Sequence, residues 1–548
     1  MFAAVAVFAR ALPYPLQLRW DDARFIVDNA FVRTPSWAAF VAIWSGPQLE
    51  AYHPLHLLSY WLDVPWSGAQ PLAIHALSLA LWVGAALVLR AALLRLGLSE
   101  GAAAIAVLAC ALHPVQVEAV SWASGRKDVL AMAFASLCLF WHLGSQRAFD
   151  RAAWLARGAY LAGALAKTTV LPLPLVLLLA DVLVRKQPLR RALKAQLPSL
   201  VIGALLGALV LVIWRDAEMV RPEDARTGAV LPRMVATFAH QLLTALWPAH
   251  VAPMYSTAAL ASPPGSAWLV LVLFAVVLAL LWRAARRGGP NAARAAFGLG
   301  AFALLLVPVS NAVPMYFPYQ DRYLSLPLLG LAIALGALWD ALPSGAARVF
   351  VPVLVCALAL RCVQYQGGWQ SELRLWGHAA SVQPDAYYAW LKLGEVRRES
   401  GDLEGSIGAY RQLVELDPGR KTGYAALFLA AALRDEHRRG IAPSQAEAYA
   451  ARLYRSLDSA DALRDLAAQL LAAGYLRALE VPLARSLVLQ PIDDRVLEHA
   501  AETQFQAGRP SIALLYAHRM LGPSKRPDLR AMIERAEQAL AHVPRVAD

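Results

Sequence analysis

Up to about residue 365 the chain is a succession of long Leu-, Ala- and Val-rich runs broken by short polar stretches, and then its character changes. A hydrocarbon core about 30 Å thick takes roughly 20 mostly apolar residues as a helix. On that measure spans are expected at 71–96, 101–117, 128–146, 153–167, 168–185, 197–215, 266–283, 295–313, 323–341 and 349–365. Residues 1–15 form a shorter apolar stretch carrying Arg10, a weak first span that brings the expected count to about eleven. From 366 to 548, Arg, Glu, Asp, Gln and Ala recur at helical spacing instead, as in amphipathic helices facing water. The expected fold class is all-α: a polytopic helical membrane domain over 1–365, then a soluble helical domain over 366–548.

Composition sharpens the division. With 58% hydrophobic and only 16% charged residues, the chain holds more apolar side chain than a soluble core can bury. The net charge of +12 does not point to nucleic acid, because Lys and Arg gather in short loops between apolar runs, as on the cytoplasmic side of membrane proteins. The loops Arg90–Arg95, Arg147–Arg157, Arg185–Lys194 and Arg283–Arg294, with Arg348, share one side only if 233–250 does not cross. That segment is read as a helix lying in the interface. An outer loop at 16–70, the stretches 113–128, 215–233 and 311–323, and everything after 366 then face the extracytoplasmic side. The four cysteines lie in apolar surroundings, without zinc spacing or a disulfide framework. No Ala-x-Ala-like cleavage site precedes Trp20, so a cleavable signal peptide is not expected.

Ala389-Trp390-Leu391-Lys392-Leu393-Gly394, followed by Gly401-Asp402, Tyr410 and Leu416-Asp417-Pro418, fits one 34-residue tetratricopeptide repeat (TPR). Ser371–Pro384 reads as the second helix of a preceding half-repeat, and weaker copies follow at 466–491 and 495–521. Such hairpins must stack to bury their apolar faces. The resulting solenoid is either a concave surface for a partner or a spacer capping the membrane domain.

On the outer side, Asp21-Asp22 directly follows Trp20. Ionised groups beside a bilayer are costly and call for a functional account. Two adjacent carboxylates can act as a general base and its orienting partner, because close like charges drive their pKa values apart. As solvent-facing helix caps they would need no such role. The same side carries Tyr52-His53-Pro54, His113-Pro114 through Glu118, and Gly125-Arg126-Lys127-Asp128, with Lys167 ending one apolar run and Arg322 opening another. His113 and Glu118 form a metal pair without a third ligand, so a divalent metal is not expected. Arg126, Lys127, Lys167 and Arg322 are suited to converge on a phosphate. The plainer account is that they snorkel to lipid headgroups.

Taken together and in order, Trp20-Asp21-Asp22 with Ile26-Val27-Asp28-Asn29, Tyr52-His53-Pro54-Leu55, Leu112-His113-Pro114 through Val120, Ala166-Lys167-Thr168 and Asp321-Arg322-Tyr323-Leu324 resemble the transmembrane and tetratricopeptide-repeat family. That family comprises C-type (GT-C) glycosyltransferases related to protein O-mannosyltransferases. The resemblance extends over roughly residues 16–420 and includes the switch from spans to repeats. It implies a GT-C-type membrane domain and an inverting hexosyltransferase. Such an enzyme takes a sugar from a polyprenyl-phosphate donor, without nucleotide or cofactor, and passes it to a protein or glycan hydroxyl on the extracytoplasmic side. Asp21 or Asp22 matches the family's diacidic motif and is the implied base. Lys167 and Arg322, with Arg126, are the implied holders of the leaving phosphate, and His53, His113 and Glu118 complete the implied substrate-binding set. His53 stands where members usually carry Arg, which makes that contact weaker or pH-dependent. Under the same reading the repeats present the acceptor, and the Ala- and Arg-rich composition fits a bacterial inner membrane with the repeats in the periplasm. The contrasting expectation is a non-catalytic membrane scaffold whose repeats recruit envelope-assembly proteins. A transporter would want polar groups at mid-membrane depth, where these helices carry mainly Leu, Ala and Val.

Overall fold

The computed structural model describes residues 2–47, 52–216, 230–256, 264–313, 315, 317–343 and 345–416, together with Ala501, Phe505, Glu534 and Arg535. Among these residues every regular element is helical. The chain divides into two compact units, Met1–Ala386 and Tyr387–Asp548, so the division falls beyond the change in composition at 365. Tertiary contacts account for the difference: the Arg19 amide donates to Glu372 Oε1 at 2.7 Å, and the Trp369 and Trp376 rings lie 6.0 and 5.3 Å from that of Trp20.

In the first unit, the helices α1 (Pro71–Arg95), α2 (Glu100–Ala111), α3 (Gln116–Ser121), α4 (Arg126–Gly144), α5 (Arg151–Ala166), α6 (Leu173–Leu183) and α7 (Leu189–Asp216) are followed by α8 (Val230–Leu246), α9 (Gly265–Arg286), α10 (Pro290–Leu305), α11 (Leu328–Ala341), α12 (Ala346–Gln366) and α13 (Glu372–Val382). Local chemistry sets many of their ends. Pro71 and Pro290 occupy first-turn positions where a missing N–H costs nothing. Ser99 and Asp150 accept from Ala102 N and Ala153 N as N-caps.

Among the described residues six helices are long and apolar enough to cross a membrane: Pro71–Arg95, Ala123–Gly144, Leu189–Ile213, Gly265–Arg286, Pro290–Val309 and Arg348–Gln370. Along α9, Leu269, Val272, Leu273, Val276, Val277 and Leu280 are each about half exposed. An apolar face of that extent calls for lipid, and the protein is an integral membrane protein.

Several runs read as single spans are shorter or interrupted. Among 101–117, α2 stops at Ala111, and the chain turns through Pro114 before the short α3. Between 153–167 and 168–185, Lys167 is extended (φ −159°) and a 3₁₀ turn Thr168–Val170 follows. The 323–341 run begins as a 3₁₀ turn, Asp321–Leu324, and α11 starts only at Leu328, after Pro327. The segment 233–250 overlaps the 17-residue α8, which is not among the six.

Small residues bring α10 and α11 together. A Cβ on Gly330 would sit 2.4 Å from Phe302 N and 2.5 Å from Gly298 O, so backbone packs directly on backbone, as is common between membrane helices. In the second unit α14 (Tyr387–Glu399) and α15 (Leu403–Leu416) form one tetratricopeptide-type hairpin. A Cβ on Gly394 would lie 2.2 Å from the Tyr410 ring, and Ser406 Oγ donates to Gly394 O at 2.8 Å. Gly401, at φ +84°, makes the turn. The repeats read at 466–491 and 495–521 lie outside the described residues.

Candidate active site

The interruptions of the apolar runs share one feature: each carries a charged side chain, and these side chains converge. Asp21 precedes a π-helical turn at Ala23–Val27, Lys127 opens α4, Lys167 stands at the break after α5, and Arg322 lies in the turn before α11. Lys127 interacts electrostatically with Asp21, Asp128, Lys167 and Arg322, and His53 with Lys127 and Lys167. Residues separated by some 300 positions in sequence thus occupy one cluster.

The two adjacent aspartates take different positions. Asp22 is fully buried; its Oδ2 accepts from Gln17 N at 2.7 Å and its Oδ1 from Ser124 N at 2.9 Å and Ser124 Oγ at 2.5 Å. It therefore ties the outer loop to the turn that precedes α4. Burial pushes its carboxyl up to about 7, against the lowering effect of those hydrogen bonds. Asp21 keeps 30% of its side-chain surface exposed and lies 3.9 Å from Lys127 Nζ.

The cations are held by packing and pairing. Lys127 Nζ sits 5.0 Å from the Phe25 ring and 5.3 Å from that of Trp122. Lys167 Nζ is ion-paired with Asp128 Oδ1. The Arg322 guanidinium pairs with Glu118 Oε1, while its backbone N–H donates to Glu118 Oε2 at 3.0 Å. The same guanidinium lies 4.9 Å from the Trp122 ring and 5.5 Å from that of Trp20, and the two Trp rings stack at 4.4 Å. Lys127 and Arg322 are thus buried against aromatic faces and Lys167 against Asp128, where solvent screens charge little. Glu118 is fully buried and its pKa is raised by burial, although Arg322 opposes the shift.

Of the residues singled out in the sequence, Asp21, His53, Glu118, Lys167 and Arg322 gather here. Arg126 does not join them. It is fully buried, donates to both Asp63 carboxylate oxygens, to Ser59 O at 3.2 Å, Ser78 Oγ at 3.1 Å and Ile74 O at 2.9 Å, and stacks on Tyr60 at 4.4 Å. With its donors spent, it anchors the outer loop to α1, and its neighbour Lys127 faces Asp21 instead. His113 also works structurally: Nε2 meets Ala245 O at 3.0 Å and Nδ1 accepts from Val115 N at 3.3 Å. His53 Nδ1 is buried with no hydrogen-bond partner among the described residues, and burial beside Lys127 and Lys167 lowers its pKa to about 3. A neutral imidazole results, able to donate or accept but not to supply a second fixed charge. Among the described residues no group of three or more His, Cys, Asp or Glu is arranged to hold a metal ion.

Asp128, Trp20 and Trp122 were given no role from the sequence; Asp128 follows Lys127 and Trp20 precedes Asp21, both singled out there, whereas Trp122 adjoins no such residue. A partly exposed carboxylate clustered with three buried cations can accept a proton on one side while anionic charge develops on the other.

Fold and site together define a helical membrane protein with an acidic and cationic centre and an appended tetratricopeptide-type hairpin. No protein-family model matches the chain. Over 163 residues, 27% of this chain and 17% of the relative, it is 35% identical to Protein O-mannosyl-transferase TMTC1 of Mus musculus. Over 452 residues, 73% of this chain and 49% of the relative, it is 21% identical to Protein O-mannosyl-transferase TMTC3 of Mus musculus. The chain thus spans at most about half the length of these curated relatives. Both are transmembrane and tetratricopeptide-repeat containing proteins, and it is this family that the chain resembles. Among solved structures, the APC/C hetero-tetramer Cut9-Hcn1 aligns at a TM-score of 0.21 and 12% identity, covering 76% of this chain and 77% of that one. So low a score carries no argument about the fold.

Proposed function

We propose that the protein is a membrane glycosyltransferase that moves a sugar from a polyprenyl-phosphate donor to a protein or glycan hydroxyl on the extracytoplasmic side. The observation that carries the reading is the partly exposed Asp21 carboxylate, 3.9 Å from Lys127, with Lys167 and Arg322 in the same cluster. Asp21 removes the proton from the acceptor hydroxyl as that oxygen bonds to the anomeric carbon. The carbon–oxygen bond to the phosphate breaks, and the polyprenyl phosphate departs with the electron pair. Attack opposite the leaving group inverts the anomeric centre. Lys127, Lys167 and Arg322 face the growing phosphate charge, so the reaction needs no divalent metal. Asp22 supports the loop that presents Asp21. The printed names of the two mouse relatives, both O-mannosyl-transferases, agree with this chemistry. The basic loops support an outer-face site, and in this reading the membrane is a bacterial inner membrane with the repeats in the periplasm, where they present the acceptor.

The test is transfer by the purified chain in lipid vesicles. Radiolabel should pass from polyprenyl-phosphate mannose or another polyprenyl-phosphate hexose to acceptor polypeptide, equally with and without EDTA. Label transferred only from a nucleotide sugar, or loss of transfer on chelation, would refute the scheme.

A further inference from the structure

At the opposite end of the same helices lies a second polar cluster that the proposed reaction does not use. Helix α4 carries Lys127 at its start and His142 near its end, and its 19 residues rise about 28 Å, nearly a bilayer's hydrocarbon thickness. There α4, α5, α6 and α7 enclose a cavity of about 40 Å³ lined by His142, Arg147, Arg157, Asp181, Arg185 and Arg191 among others. One water position needs about 10–15 Å³ on this measure, so the space exceeds a single water.

Two of its walls are incompletely bonded. Asp181 is 1% exposed; its Oδ1 takes His142 Nε2 at 3.0 Å and Arg185 Nη1 at 2.9 Å, while its Oδ2 has no partner among the described residues. Arg157 is 8% exposed; its Nη2 donates to Ala148 O at 2.5 Å and Ala195 O at 3.1 Å, while its buried Nη1 has no partner among the described residues. The guanidinium lies 4.9 Å from the Phe149 ring and 4.8 Å from that of Trp154, held within the protein and not extended to water. Buried polar groups normally find partners, so an unbonded donor and an unbonded acceptor on one cavity define what would complete it. Four arginines against one carboxylate leave the cavity net cationic, and the surrounding loops are the basic ones that face the cytoplasm.

We propose that this cavity binds the headgroup of an anionic phospholipid of the cytoplasmic leaflet. The phosphate accepts from Arg157 Nη1, with Arg185 and Arg191 around it, and a headgroup hydroxyl donates to Asp181 Oδ2. Basic pockets between membrane helices on the cytoplasmic side suit such headgroups. Simple snorkelling of arginines explains neither the buried Nη1 nor the unsatisfied carboxylate oxygen.

The experiment is native mass spectrometry of the full chain, purified in detergent and titrated separately with phosphatidylglycerol, phosphatidylcholine and inorganic phosphate. Phosphatidylglycerol should be retained and phosphatidylcholine lost. Arg157→Gln should weaken retention about tenfold, the value of one charge-assisted hydrogen bond. Because Arg157 also braces two carbonyls, the exposed Arg191→Gln serves as the variant expected to keep its fold, and it too should lower retention. Equal retention of both lipids, or retention unchanged in Arg191→Gln and in folded Arg157→Gln, overturns the proposal. Displacement of phosphatidylglycerol by equimolar inorganic phosphate also overturns it, assigning the cavity to a free anion.

Discussion

Replacing Lys167 by Met removes the ammonium that neutralises Asp128, and the structure indicates what should follow. The Asp128 side chain is 2% exposed and that of Lys167 8% exposed, so water cannot readily take over the lost contact. Asp128 Oδ2 already has no hydrogen-bond partner among the described residues, and the substitution removes the ion pair from Oδ1 as well. Stranding one member of a buried pair costs about 3–5 kcal/mol. Removing both members and filling the space with apolar side chains costs far less, because no unpaired charge remains. Lys167→Met should therefore lower the unfolding midpoint markedly in detergent, whereas Asp128→Leu/Lys167→Met should regain most of the loss, with a coupling of about 2–3 kcal/mol in the double-mutant cycle. Under the proposed reaction, sugar transfer should stay lost in both, since neither retains the Lys167 ammonium. A single variant as stable as the parent would refute the reasoning. It would mean that Lys127 or Arg322 neutralises Asp128 without Lys167.

Three further outcomes follow from packing and protonation. The folded Asp22 has a pKa of about 7 against an ordinary 3.8, so the folded chain holds a proton that the unfolded chain releases; stability should fall as pH rises from 3.8 to about 7 and level off above it. In Asp22→Asn that slope should become shallower by the share of one carboxyl in thermal midpoints measured across the range. Gly330→Val should force α10 and α11 apart and destabilise the fold by about 1–3 kcal/mol or more, read by unfolding in detergent, whereas an exposed lipid-facing change such as Leu273→Val should cost little. Gly394→Ala should lower the stability of the hairpin, and a smaller residue at Tyr410 should recover part of the loss in the same measurement.

Much of this architecture was legible in the residues. Of the about eleven spans expected from apolar run length, six of the described helices are long and apolar enough to cross, and the Trp390 to Gly394 pattern with Tyr410 identified the hairpin, because both signals reflect burial on a fixed helical period. What run length conceals is where a helix breaks. A hydropathy window passes through Pro114, Lys167 and Pro327, although the backbone turns at or beside each of them and the charged residues gather at those turns. Sequence adjacency misleads in the same way. Arg126 and Lys127 are neighbours of like charge, yet the start of α4 sends one to Asp63 and the other toward Asp21. Asp21 and Asp22 are likewise indistinguishable as letters. Only the burial of Asp22 against Gln17 and Ser124 ties one into the fold and leaves the other partly exposed beside Lys127.

The most direct measurement is transfer from a radiolabelled polyprenyl-phosphate hexose by vesicles of the Asp21→Asn chain beside the parent. The amide keeps the size and hydrogen-bonding shape of the carboxylate but cannot take the acceptor's proton. Transfer should drop by about 10²–10⁴, the usual contribution of a general base, while the unfolding midpoint stays within the parent's range. Undiminished transfer by folded Asp21→Asn would contradict the account.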